Sequence, residues 1–428
     1  MKQKIRKSSK VIFWTLYLAY MSIYVARVNL SIAGPALKNT GILDSAQIGF
    51  LGSCFFVVYA VGRIVSGTLS DTVAPARMIC TGLLLSAASN IAISFFPPYA
   101  VILCLWTLNA IGQSMLWSSV LWTVVSISEK KVEKKKTSLM VTSVATGNIA
   151  GILINSWLIG GGNPGPAFMV PGIISAVMAV CVFAAASHIG AAESNKPAET
   201  HTVSVTASGI NTSEKTAGAT SFADTKDPSD VPQKAHMSVF GLLGNSSVRT
   251  MGIVAMIHGV MKENISLWMA VYIVDTYLVD LTKSSYYILL IPVIGLIGRF
   301  LFPVLLSMFK NNENRVSLFG FLLCIAGSAV LLPGKTLMLL SVLALGLIYM
   351  AVSFINTSLL SIYPIAFKES GNTASVSGLM DFATYLGAGI SSAVYGIVIS
   401  SFGYIPMFVS WIVISVIAVL ILMGKTIR

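Results

Sequence analysis

The chain has 428 residues, of which 55% are hydrophobic and only 10% charged, with a mean hydropathy of +0.82. A soluble domain of this length needs charged surface to stay dispersed, so this composition excludes a soluble enzyme or binding module. The net charge of +12 would suit nucleic acid, but the placement of the basic residues excludes that partner too.

In chain order, a basic N-terminus (Lys2, Lys4, Arg6, Lys7, Lys10) leads into the first of six apolar segments. These segments fall at roughly 11–37, 46–69, 79–96, 99–127, 138–158 and 168–189, each long enough to cross about 30 Å of hydrocarbon as a helix. The first is too long for a secretory leader and lacks a small-residue cleavage site after it, so it reads as a transmembrane helix. Residues 190–237 are rich in Ser, Thr, Ala, Lys and Asp and nearly devoid of large apolar side chains, the composition of a disordered linker. Six further apolar segments follow at roughly 250–275, 284–308, 316–332, 336–363, 374–400 and 404–424. Barrel strands would be half as long and would alternate strictly. The expected organisation is an all-α membrane protein of twelve transmembrane helices, with a bundle at 1–189, a linker at 190–237 and a second bundle at 238–428.

Assigning alternate loops to opposite sides puts about 21 Lys and Arg on one face and about three (Lys38, Lys283, Lys335) on the other, which predicts cytoplasmic termini. The lysines at 130, 131, 134, 135 and 136 are then a topology anchor. Cys54, Cys80, Cys104, Cys181 and Cys324 fall singly in apolar segments with no metal spacing. With four His and no phosphate-binding loop, neither a cofactor nor a metal is expected.

The two halves read as copies. Arg27, Asn29, Asp44 and Gly62-Arg63 occur in the same order as Lys262, Asn264, Asp280 and Gly298-Arg299, and VATGNIAG from Val144 faces FATYLGAG from Phe382. Parallel repeats of this kind place a binding site between them, near mid-membrane.

Ionisable side chains inside a bilayer are costly and mark function. Arg27, Arg63, Lys262 and Arg299 lie within apolar segments, against few acids, chiefly Glu263 and Asp381. A net positive interior suits an anion. Tyr20, Tyr24 and Arg27 share one helical face, a stripe of donors fitted to a tetrahedral dianion. Lys262 occupies the corresponding place in the second half, with an internal ion pair to Glu263 or Asp381 as its alternative. Arg63 and Arg299 lie nearer the cytoplasmic ends of their helices, where snorkelling or gating competes with ligand contact. Gln113, Trp117, Asn148, Trp268, Tyr272 and Tyr385 are expected to line the cavity.

The segment GRIVSGTLSDTVAPAR, with Gly67, Asp71 and Arg77, resembles the loop signature after the second helix of the major facilitator superfamily. That resemblance implies a gate in which Gly67 lets helices approach while Asp71 and Arg77 latch helix ends, with Arg299 as a further gating residue. In the second half Pro303 and Ser307 stand in the corresponding places, so that latch looks degenerate. Within the superfamily, the Tyr20, Tyr24, Arg27 stripe resembles the organophosphate:phosphate antiporters, as do Lys262, Trp268 and Tyr272, Arg63, and Gln113 with Trp117. The resemblance implies exchange of a small phosphorylated anion against inorganic phosphate by a monomer in the bacterial inner membrane. Arg27 and Lys262 would be the paired phosphate ligands, repelling each other until an anion neutralises both. Two departures are that the glycerol-3-phosphate carriers have His where this chain has Gly147, and a second basic residue where it has Val28.

YVARVNLSIAGPAL also resembles the first helix of the anion:cation symporters, which implies a proton-coupled carboxylate carrier with Asp381 as the proton site. Those proteins carry acids where this chain has Ala26 and Gln113, which favours exchange over proton symport. A non-transporting sugar-phosphate receptor is the third reading, since one branch of the resembling family binds without transport.

Overall fold

The computed structural model describes residues 2–69, 73–128, 130–160, 162–193, 239–367 and 372–426, and every regular element among them is helical. The first half contains α1 (Lys2–Asn39), α2 (Ser45–Leu69), α3 (Pro75–Ile93), α4 (Tyr99–Ser114), α5 (Leu116–Ser126), α6 (Lys130–Leu158) and α7 (Pro166–Glu193). The second contains α8 (Val239–Leu243), α9 (Ser246–Tyr277), α10 (Leu281–Met308), α11 (Glu313–Leu331), α12 (Met338–Thr357), α13 (Thr373–Phe402) and α14 (Ile405–Thr426). Helix α7 runs to Glu193, slightly past the expected boundary. The rest of the linker, 194–237, lies outside the described residues.

Eleven segments are long and apolar enough to span a membrane, with α4 and α5 forming one and α12 with its following turns another. Helix α9 supplies the twelfth. Its 32 residues are ample for a crossing, but His258, Lys262, Glu263 and Asn264 at its centre dilute its hydropathy. Helix α9 thus brings two of the site's charges, Lys262 and Glu263, into the span. The fourth span of each half departs from regular α-winding: α4 and α5 meet at Met115, whose N–H bonds to Gly112 O at 3.3 Å, and α12 continues as a π turn (Ser358–Ile362) and a 3-10 turn (Tyr363–Phe367). Such irregularities are common at functional positions within helices.

The repeated residues have structural reasons. Asn29 Nδ2 donates to Asn90 Oδ1 at 2.7 Å and to Ala167 O at 3.1 Å, tying α1 to α3 and α7. Asn264 Nδ2 donates to Ser391 Oγ at 2.7 Å, and Ser392 Oγ donates back to Asn264 Oδ1 at 3.1 Å, tying α9 to α13. With no hydrophobic drive between helices in lipid, such hydrogen bonds and close packing of small residues hold the bundle. Asp44 and Gln47 exchange side-chain bonds with each other's backbone N–H, a reciprocal cap at the start of α2. Gly62 and Gly298 mark close crossings: a Cβ on Gly62 would strike Ser114 on α4, and one on Gly298 would strike Met350 on α12.

The halves meet on the side of Arg27 away from the N-terminus. Ser31 Oγ donates to Ser266 O at 2.6 Å and to Leu267 O at 2.9 Å. About 10 Å further along α1, Lys38 pairs with Asp275 of α9, whose Oδ2 also accepts from Tyr404 Oη at 2.8 Å. Alongside, α2 and α13 touch backbone to backbone. A Cβ on Gly396 would lie 2.7 Å from Ser45 O and 2.9 Å from Gly49 Cα, so no rotamer can relieve it. Gly396→Leu should therefore part the halves on this face. A cysteine at Ser31 should then react with a membrane-impermeant maleimide from the Lys38 side at least about tenfold faster than in the parent. Unchanged labelling would show that the glycine contact does not close the face.

Candidate functional site

Between the halves, at the level of Arg27, lies a cavity of about 140 Å³. It runs toward the face that carries the termini, bounded by Arg63 on α2, Arg299 on α10, Asn356 on α12 and Asp381 on α13. All four predicted intramembrane cations and both acids line this space.

The three positions of the α1 stripe do share one face. Tyr20 and Tyr24 pack with ring centroids 5.5 Å apart, and Trp117 lies 4.8 Å from Tyr20. The Arg27 guanidinium follows, with Cζ 4.6 Å from the Tyr24 ring, 4.4 Å from Tyr59 and 5.3 Å from Phe55. Three aromatic faces thus hold the cation without neutralising it, each contributing about 0.5–2 kcal/mol. Its Nε donates to Gln113 Oε1 at 2.8 Å. The Gln113 amide is itself oriented, because its Nε2 donates to Asn109 Oδ1 at 3.1 Å and Ser86 Oγ donates to the same oxygen at 2.7 Å. Gln113 therefore positions Arg27 from behind rather than lining the cavity as expected. Arg27 Nη2 is left buried and without a hydrogen-bond partner among the described residues.

The remaining cations differ. Lys262 Nζ lies 2.9 Å from Glu263 Oε1 and 5.6 Å from the Tyr385 ring, so the alternative reading of Lys262 as half of an internal ion pair holds, and the pair lines the cavity. Arg63 Nη2 lies 3.2 Å from Asp381 Oδ2, an ion pair that bridges the two halves. Arg299 has no carboxylate partner among the described residues. Four cations and two carboxylates leave the lining with a formal charge of +2.

Two expected lining residues lie elsewhere. On α9, Trp268 and Tyr272 are turned roughly a third and a quarter of the way around the helix from Lys262, and both point into the core of the second half. Trp268 is 1% exposed, and Tyr272 packs on Tyr404 and Phe408 at 5.1 and 5.2 Å. Of the loop signature, a Cβ on Gly67 would meet nothing within 4 Å among the described residues and Arg77 is exposed, while Asp71 lies outside the described residues. Gly147 serves packing instead: a Cβ there would lie 2.7 Å from Tyr24 Cβ and 2.8 Å from Met21 O, leaving no room for histidine against α1.

Tyr59 was not foreseen. Its ring stacks beneath Arg27, its hydroxyl accepts from Arg63 Nη1 at 3.3 Å, and it lies 4.9 Å from Tyr385, so it links the two cations of the first half and touches the second half at an aromatic ring. The i, i+4 spacing of Tyr59 and Arg63 is the signal that would have found it. Asn356 carried no such signal.

A helical membrane protein with two like halves around a central charged cavity has the build of a carrier, and comparison with known proteins bears on which kind. Residues 16–373 match the Major Facilitator Superfamily, and the chain belongs to that family. It is not an enzyme. A probable hexose phosphate transport protein of Chlamydia muridarum is 29% identical over 25% of this chain and 23% of its own length. A phosphoglycerate transporter protein of Salmonella typhimurium is 30% identical over 24% and 22%, and the membrane sensor protein UhpC of the same species is 32% identical over 23% and 22%. The chain thus matches under a quarter of the length of these relatives. A crystal structure of a bacterial homolog of the human lysosomal transporter Spinster superposes with a TM-score of 0.74 at 13% identity, covering 97% of this chain and 96% of that one, a likeness of fold.

The geometry makes Arg27 a charge that can be silenced at nearly constant volume. Gln113→Glu should hand its guanidinium an internal carboxylate. Phosphate binding by calorimetry in detergent should weaken at least about tenfold, more than in Gln113→Leu. Equal affinities for the two variants would count against Arg27 as the anion ligand.

Proposed function

We propose that the protein is a secondary carrier that exchanges a small phosphate ester for inorganic phosphate by rocking its two halves about the central cavity. The observation that carries this reading is the Arg27 guanidinium, with Nη2 buried and unpartnered in a cavity of net charge +2. A phosphate monoester carries about −1.5 to −2 at neutral pH, which matches that excess. The named relatives for hexose phosphate and phosphoglycerate support the same class of substrate.

Arg27 takes the phosphate, with its planar fork offering two parallel donors. Tyr20, Tyr24 and Trp117 line the approach, and Tyr385 forms the opposite wall. Lys262 plays a different part from simple repulsion of Arg27, because Glu263 already compensates it. An arriving oxyanion competes with Glu263 for the ammonium, drawing α9 toward α1. The Arg63–Asp381 pair bridges the halves at the cavity's outer edge and has to part for a substrate to pass. With cytoplasmic termini, as the lysine distribution directs, the cavity faces the cytoplasm. Opening the other way requires the Lys38–Asp275 pair and the Gly49–Gly396 contact to break. A bound anion shifts the equilibrium only by its differential affinity for the two states, so an empty carrier that returns slowly exchanges rather than leaks. The proposed unit is a monomer in a bacterial inner membrane.

In proteoliposomes, uptake of a labelled phosphate ester should require internal phosphate and ignore a protonophore. Collapse of uptake with the proton gradient would instead mark a symporter. Arg27→Ala should abolish exchange, and Arg27→Lys should restore little of it. Lys262→Ala should also cut exchange at least about tenfold, since it leaves Glu263 uncompensated. The pair Lys262→Ala with Glu263→Ala keeps the net charge; renewed activity there would reduce Lys262 to a neutralising role.

The similarity to a membrane sensor favours one other reading, a receptor that binds the ester without moving it. Saturable binding with no counterflow in the same vesicles would establish it.

A further inference from the structure

The wall of the cavity opposite Arg27 and Trp117 carries an unmet acceptor. Asn356 on α12 lines the space, and its Oδ1 is buried without a hydrogen-bond partner. Across the cavity, two donors are in the same condition: Arg27 Nη2 and Trp117 Nε1. Buried polar groups in folded proteins are nearly always paired, and those of a cavity wall find their partners in water or in a ligand that displaces it. The unmet groups are thus sorted by type, with donors on the first half and an acceptor on the second. A ligand that satisfies all three has acceptor oxygens at one end and a hydrogen-bond donor at the other.

Charge narrows the far end further. Glu263 and Asp381 line the space on the second half's side, 2.9 and 3.2 Å from their basic partners. The net charge of +2 is already matched by a phosphate dianion. The second half's wall is itself balanced, Lys262 and Arg299 against Glu263 and Asp381, so a carboxylate on the organic part would add a third negative charge to a lining whose excess of +2 the phosphate has already met.

Resting on the phosphate-ester reading, we propose that Asn356 is a specificity-determining residue: its amide oxygen accepts from a hydroxyl of a polyol or sugar phosphate, while the lining's excess of +2, already met by the phosphate, disfavours phosphate esters that bear a carboxylate. Inorganic phosphate has no organic tail to bring a hydroxyl to Asn356 and is held at the Arg27 end alone. A neutral hydroxylated tail adds the contact to Asn356, so the two exchange partners share one anchor and differ in one hydrogen bond. Loss of one hydroxyl partner in a site built to hold it leaves a buried acceptor unpaired, the circumstance in which a site discriminates strongly.

The test uses phosphate:phosphate exchange in proteoliposomes of the full chain, with glycerol 3-phosphate, glucose 6-phosphate and 3-phosphoglycerate as competitors. One of the two hydroxylated esters should inhibit at a concentration at least about tenfold below that for 3-phosphoglycerate. Asn356→Leu should raise the half-inhibiting concentration of that ester at least about tenfold relative to that of phosphate itself. Asn356→Ser, which keeps an oxygen acceptor, should recover much of the preference. Equal or better inhibition by 3-phosphoglycerate would overturn the proposal, as would Asn356→Leu shifting the esters and phosphate by the same factor, the mark of a structural role. Absence of any phosphate exchange in the unaltered protein would remove the phosphate reading itself and this proposal with it. Exchange with the wrong ester preference would remove the proposal alone.

Discussion

A guanidinium held at mid-membrane without an acidic partner is the constraint around which this molecule is organised. An arginine at the centre of a spanning helix costs about 2.5–3.5 kcal/mol on insertion scales, and a carboxylate beside it would be the simplest remedy. Arg27 has none. Its charge is tolerated by the faces of Tyr24, Phe55 and Tyr59 and by one amide oxygen from Gln113. The amide is aimed by a buried network through Asn109 and Ser86, and Asn90 of that network also accepts from Asn29 on α1. The hydrogen bonds that hold α1, α3, α4 and α7 together thus also fix which atom of Gln113 faces the cation. Packing and charge placement in the first half are one system, and the free donor at Nη2 is its product.

The two faces of the molecule are held by different chemistry. On the Lys38 side the halves approach through Gly49 and Gly396, where backbone meets backbone, and through Gly52, where the Leu267 side chain packs against the bare backbone. Toward the termini, among the described residues, the Arg63–Asp381 pair bridges the halves at the edge of a cavity. Close glycine packing makes a contact that is either made or broken, with little between. An ion pair beside a cavity yields gradually as solvent or an anion competes for its members. A carrier that must seal one face while admitting a ligand at the other has use for both.

Membership of the superfamily accounts for the build and leaves the cargo to local detail. The named relatives align over about a quarter of the chain at around 30% identity, and differ among themselves in what their names say they handle. Gly147 illustrates how local that detail is. Where some carriers of the resembling family place a histidine, this chain has given the position to the α1–α6 crossing, and the neighbouring Asn148 faces the cavity instead.

Much was legible without coordinates. Hydropathy sets the spans because lipid demands about twenty apolar residues for each crossing, and the internal repeat announced two like halves. The grouping of Tyr20, Tyr24 and Arg27 followed from helical periodicity, which fixes angles between residues of one helix. Periodicity says nothing of how each helix is rotated within its bundle. For that reason Trp268 and Tyr272, on the same helix as Lys262, were expected at the cavity and lie in the core, and Gln113 was expected in the wall and stands behind Arg27. Pairing across the chain was equally out of reach: Arg63 finds Asp381 only because α2 and α13 cross at glycines, and Asn356 faces the cavity only because α12 is turned that way. The sequence determined how many helices there are and which charges they carry into the membrane. Tertiary packing alone decided which of those charges cancel and which are left to meet a ligand, because cancellation depends on the few ångströms between helices and not on position along any one of them.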